Sequence, residues 1–116
     1  CYIIFTGGKK MEKYLLDFNT FVSELVNYQI RMNKNLSVAS LSEKIGLSNS
    51  FVQKVLYTPK EKHFNLRHIF LISKAIDLSM DKLLPSKENY KLLTNKDLSD
   101  VEWEEFINKL KKEVIE

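Results

Sequence analysis

From Tyr14 to Met32 the apolar residues Phe18, Phe21, Val22, Leu25 and Met32 recur at intervals that fit one face of a helix. The polar cluster Asn33-Lys34-Asn35 ends that stripe. Ser37 then offers a side-chain cap for a second helix carrying Val38, Leu41 and Ile45, and Gly46 stops it. Ser48 is placed to cap a third helix around 49–56, with Val52, Val55 and Leu56 inward. Thr58 to Phe64, holding Pro59 and three charged residues, reads as a loop. Asn65 caps a fourth helix whose Leu66, Ile69, Ile72 and Ile76 are expected inside. Asp77 and Ser79 mark a turn, and a short fifth helix with Leu83 and Leu84 inward precedes Pro85.

Beyond Pro85, residues 86–98 are polar and lysine-rich and read as a linker. Ser99-Asp100-Val101-Glu102 has the spacing of a capping box and opens a last helix over 99–116. That helix shows Trp103, Phe106, Ile107, Leu110 and Val114 along one side. At the other end, residues 1–10 (CYIIFTGGKK) differ from the rest. Gly-Gly-Lys-Lys ahead of Met11 is what a purine-rich ribosome-binding site such as GGAGGAAAAAA would encode if translated. Residues 1–10 are therefore expected to be a leader or tag-derived segment, with the folded domain over 11–85. The architecture expected is all-α: five helices, plus an additional C-terminal amphipathic helix.

Composition narrows the function classes. Apolar residues make up 44% and charged residues 28%, an ordinary balance for a globular chain, and no apolar run is long enough to span a membrane. The single cysteine, Cys1, provides neither an internal disulfide nor a cysteine-based zinc site, so a cytoplasmic protein is expected. His63 and His68 lack carboxylate or thiolate partners at ligand spacing, and neither a metal nor another cofactor is expected. No Ser-His-Asp context, nucleotide loop or paired-carboxylate cleft points to an enzyme. The net charge of +3 says little, but its distribution says more. Residues 31–74 hold eight basic against two acidic side chains, whereas 75–116 hold seven against ten. A basic middle fits a polyanion-binding face, and an acidic tail fits a partner-facing or solvated one.

The segment Val38–Leu56 (VASLSEKIGLSNSFVQKVL) joins two short apolar-faced helices through Gly46, the small residue that a tight turn between crossing helices requires. On the second of them, Ser48, Asn49, Ser50, Gln53 and Lys54 are polar, hydrogen-bonding and outward. In these features the chain resembles the phage Cro and repressor-type (XRE) regulators over about Phe21 to Leu84. The resemblance rests on Leu36-Ser37, Leu41, Ile45-Gly46-Leu47 and Ser48-Asn49-Ser50-Phe51. It continues through Asn65-Leu66, Ile72-Ser73-Lys74-Ala75-Ile76 and Leu78-Ser79-Met80-Asp81-Lys82-Leu83-Leu84. It implies a five-helix DNA-binding domain with a helix-turn-helix, acting as a sequence-specific regulator of transcription. A repressor is the expectation, and an activator is the alternative that the sequence does not separate from it. The chain departs from the family at Val38, where a phosphate-contacting Gln is usual, at Ser42 in place of Ala, and at Leu56-Tyr57-Thr58 in place of Glu-Asn-Gly. Arg31, whose usual glutamate partner is missing, is then expected to take another role, such as phosphate contact.

On this reading Ser48, Asn49, Ser50, Gln53 and Lys54 read base edges, Asn49 and Gln53 suiting adenine and Lys54 guanine. The plain alternative makes Ser48 a cap and the others ordinary exposed residues. Phe51 is either a thymine-methyl or sugar contact or a packed side chain. Phosphate contacts are expected from Asn35 and Ser37 at the second helix, and from Tyr57, Lys60, Lys62, Asn65 and Arg67 around the start of the fourth, unless that loop is simply solvated. Trp103, Phe106, Ile107, Leu110 and Val114 either fold back on their own domain or pair two copies, and a homodimer on a double-stranded operator is the expectation. The rival reading is a helix-turn-helix scaffold that works mainly through a protein partner of the antirepressor or toxin kind.

Overall fold

The structure, a computed structural model, describes residues 17–59 and 61–115, the side chains of 113–115 excepted. Among the described residues every regular element is helical. They are α1 (Phe18–Met32), α2 (Val38–Ile45), α3 (Asn49–Tyr57), α4 (Leu66–Ala75), a 3-10 turn (Met80–Leu83), α5 (Lys87–Thr94) and α6 (Asp100–Ile115). The leader expected at residues 1–10, the side chain of Lys60 and that of Val114 lie outside the described residues. No helix among them is long and apolar enough to cross a membrane.

The helices start where short polar side chains can satisfy the first free amides. Oxygens of Ser37, Ser48 and Asn65 accept the backbone N–H groups of Ser40, Phe51 and His68 at 3.1, 3.0 and 2.8 Å. Ser99 and Glu102 form the expected reciprocal box, 3.2 Å each way between side chain and backbone. Asp17, which the apolar stripe alone does not reveal, caps α1 through the Thr20 N–H at 3.3 Å. Gly46 ends α2 at φ 76°, in the left-handed region, and the Leu47 N–H then closes back on the Ser42 carbonyl at 3.0 Å. A Cβ at Gly46 would meet nothing within 4 Å, so the glycine is required for its backbone freedom and not for space.

Two apolar clusters share α1. Val22 and Val26 join Leu36, Leu41, Ile45, Val52, Val55, Leu56, Phe64, Ile69, Ile72 and Leu83 in the larger one. Phe21 and Leu25, one residue earlier and so about 100° around the helix, join Tyr90 and Leu98, with Leu93 and Trp103 alongside. Because both sides of α1 are covered, all eight residues from Thr20 to Asn27 are buried.

That second cluster corrects the linker reading of residues 86–98. Lys87–Thr94 is a helix, capped by Ser86 through the Asn89 N–H, and it buries Tyr90 against α1. Asn89 Nδ2 donates to the carbonyls of Asp81 and Leu84 at 2.9 and 2.7 Å, fastening the helix to the 3-10 turn. α6 likewise folds back on its own chain: Phe106 is only 3% exposed, its ring 6.4 Å from Phe21 and 5.4 Å from Trp103. Lys87 pairs with Asp100 across α5 and α6, and this contact holds the Asp100 carboxyl below its ordinary range. Leu66, expected inside, is 68% exposed. It is the first residue of α4, whereas Ser73, two turns later on the same side, is buried, so its exposure comes from its place at the helix end. Met32 is exposed too, at the last position of α1.

Candidate nucleic-acid interface

Val52, Val55 and Leu56 point α3 into the larger cluster and so decide which side of it remains outside. On that outer side Ser48, Asn49, Ser50, Gln53 and Lys54 are all exposed. Asn49, Gln53 and Tyr57 succeed one another at i+4, as do Ser50 and Lys54, so two neighbouring rows of hydrogen-bonding groups run along one face. α3 carries no acidic residue. It is held from behind by a bond the sequence does not suggest: the buried Ser23 hydroxyl of α1 donates to the Val55 carbonyl at 3.0 Å. Ser42 is buried on α2, its hydroxyl turned back to the Val38 carbonyl at 2.6 Å, so a polar side chain is accommodated where the two helices cross.

The first turn of α3 is joined to the first turn of α4 by three rings. Phe51 lies edge-on to Phe64 at 6.4 Å and to His68 at 5.5 Å, and His68 is 6.1 Å from Phe64. Phe51 is therefore a packed side chain, partly buried against the core. The same rings bring the N-terminal ends of α3 and α4 together. At α4, Asn65 Oδ1 accepts the His68 N–H at 2.8 Å, and His68 Nδ1 accepts the Asn65 N–H at 3.2 Å. The spacing Asn65-x-x-His68 is that of a capping box, the one signal in the chain that could have announced this cluster. Burial lowers the His68 pKa, with the charge of Arg67 adding to the effect.

Around this junction Tyr57, Lys62, Asn65 and Arg67 are exposed, next to the helix end whose remaining amides and positive dipole favour an anion. Asn35 is exposed at the approach to α2, its N–H donated to Asn33 Oδ1. Ser37 is exposed as well, but its hydroxyl and N–H are both engaged in the capping box with Ser40. Ser37 thus holds the start of α2. Arg31 is exposed, and its charge draws down the pKa of Glu24 against the larger upward push of burial.

No family model, curated protein or solved structure matches the chain.

The remaining sequence-derived candidates lie elsewhere. Trp103, Ile107 and Leu110 are partly buried along α6, on the same stripe as buried Phe106, and belong to the second cluster's side of the molecule. Its opposite side carries Asp100, Val101, Glu104, Glu105 and Asn108, which line a shallow hollow. His63 is exposed, and no group of three or more His, Cys, Asp or Glu stands together among the described residues.

Proposed function

We propose that the chain is a sequence-specific double-stranded DNA-binding regulator of the Cro and repressor type, with α2 and α3 as its helix-turn-helix and α3 as the reading helix. The observation that carries this is the junction of two helix ends: an exposed, acid-free row of Asn, Ser, Gln and Lys beside the N-terminus of α4. The row supplies donors and acceptors matched to base edges, and the helix end supplies an anion site at the edge of the same surface. Asn49, Ser50, Gln53 and Lys54 are assigned to bases, with Ser48 as cap and neighbour. Tyr57, Lys62, Asn65, Arg67 and Asn35 are assigned to phosphates. Occupancy of an operator that overlaps a promoter would block polymerase, so repression needs no catalysis, metal or cofactor.

Selection of binding sites from random duplex DNA tests the reading. A single enriched motif whose affinity falls steeply with salt supports it, and the slope counts the phosphates contacted. The double variant Gln53→Ala/Lys54→Ala should lose the motif, whereas unchanged selection by that variant overturns the assignment.

Two copies reading half-sites about 34–36 Å apart would give a palindromic motif. The apolar stripe of α6 is poorly suited to join them, because Phe106 and much of Trp103 already pack on α1 and α5. The protein-partner reading is favoured by one feature, the acidic outer side of α6 with Val101 68% exposed among Asp100, Glu104 and Glu105. Its test belongs on those residues. Substitution of Trp103 or Phe106 would report on folding instead.

A further inference from the structure

We propose that His68 is a positioning residue that holds the first turn of α3 in register with the start of α4, and that protonation of its ring releases the two. The DNA-binding consequence drawn from it rests on the function proposed above; the mechanical coupling does not. A backbone N–H can only donate, so the bond from Asn65 N–H fixes His68 Nδ1 as an unprotonated acceptor. The opposite edge of the cluster is Phe51, on the turn that carries Ser48, Asn49 and Ser50. One imidazole thus closes the α4 cap and supports the recognition turn at once.

Protonation makes both ring nitrogens donors. Nδ1–H would then face the Asn65 N–H, two donors in one hydrogen bond, and that half of the cap is lost. The new charge would also sit in the first turn of α4, at the positive end of the helix dipole. Among the described residues the groups packed on the ring offer it no anion: Phe51 from α3 and Phe64 from the preceding loop are uncharged, and the charge acting from α4 itself is Arg67. Burial first, then the Arg67 charge, favour the neutral ring. The lost bond and the helix dipole act in the same sense, against the weaker attraction of the phenyl faces for a cation. The ring therefore protonates only below the ordinary histidine value, and its one hydrogen bond, to the Asn65 N–H, is then lost.

The two expected effects on DNA are opposite in kind. An imidazolium near the phosphate site strengthens binding to any duplex, whereas a loosened α3 turn weakens base reading. The quantity that moves is the preference for the operator over random duplex, expected to fall on the order of tenfold, the cost of about one base contact. His68→Gln separates cap from charge, because Gln at this position completes a capping box and does not titrate.

NMR titration of the full chain tests this between pH 7.5 and 5. In the wild type the Phe51 and Asn65 amide signals should follow the His68 ring. In His68→Gln they should be flat, with the Asn65 N–H protected throughout. Operator preference, read over the same range with the selected duplex and a random one, should fall only in the wild type. Phe51 and Asn65 signals that ignore the His68 titration overturn the proposal, as does an identical pH profile in His68→Gln. If the coupling is present but no duplex is selected at any pH, the positioning role stands and the DNA-binding reading fails.

Discussion

Glu24 is 5% exposed, and among the described residues its Oε1 atom has no hydrogen-bond partner; Nδ2 of Asn27, one turn later on the same side of α1, has none among them either. They are inside because α1 is packed on both sides, so the helix has little outer face left for polar residues. Burial raises the Glu24 pKa, and the charge of Arg31 offsets only part of that. A carboxyl whose folded pKa is raised stabilises the fold fully below its unfolded value, near 4.5, and loses that contribution as the pH climbs through the folded value. At neutral pH the charged form is therefore a cost. Glu24→Gln should raise stability at pH 7 by on the order of 1 kcal/mol, leave it nearly unchanged at pH 4, and so flatten the stability profile between them. Urea unfolding at the two pH values measures this, and equal effects at both would contradict it. His68 has the opposite sign. Its lowered pKa means that its contribution is present above about 6.5 and is lost as the pH falls toward the folded value.

At the scale of single elements, the capping side chains carried most of the legible information. Ser37, Ser48, Asn65 and Ser99 each accept the amide that their positions foretold, because a cap is a contact over three residues and needs no knowledge of the rest of the chain. Gly46 is equally local. Gly46→Ala should cost about 1 kcal/mol through the left-handed backbone alone, since no atom lies near enough to clash. Gly46→Asn should cost less, Asn being the side chain that best tolerates that region. Thermal unfolding of the two variants checks the order, and an Asn variant worse than Ala would show that another contact had been missed. Leu66 marks where periodicity failed. It has the right spacing for the buried stripe, and Ser73 on the same side is buried, but how far a stripe is covered at a helix end depends on the neighbouring elements, not on the spacing.

For the molecule as a whole, α1 is the shared wall of both clusters, and this makes α5 and α6 part of the fold. A chain ending at Pro85 would expose Phe21 and Leu25, which are fully buried in the intact protein. That truncation should unfold at much lower denaturant and with a broader transition. Phe106→Ala should cost about 3 kcal/mol in a transition that remains cooperative, read by circular dichroism and fluorescence together. A truncated chain as stable as the full one would restore the view of residues 86–98 as a linker. The misreading has a physical origin. α5 has a polar composition, and its single fully covered ring, Tyr90, is too little to stand out as a stripe.

Local chemistry in the sequence determined the helical class, the starts of α2, α3, α4 and α6, the turn at Gly46, and the outward row from Ser48 to Lys54. Each depends on neighbours within about one helical turn, where residue types act almost alone. Tertiary structure alone decided that α1 is buried on both sides, that α6 folds onto it through Phe106, and that Ser23 reaches the Val55 carbonyl. It likewise decided that Phe51, Phe64 and His68 meet at the junction of α3 and α4. These contacts join residues far apart along the chain or on different helices. Their partners are set by how whole helices cross, and no spacing within a single helix encodes that.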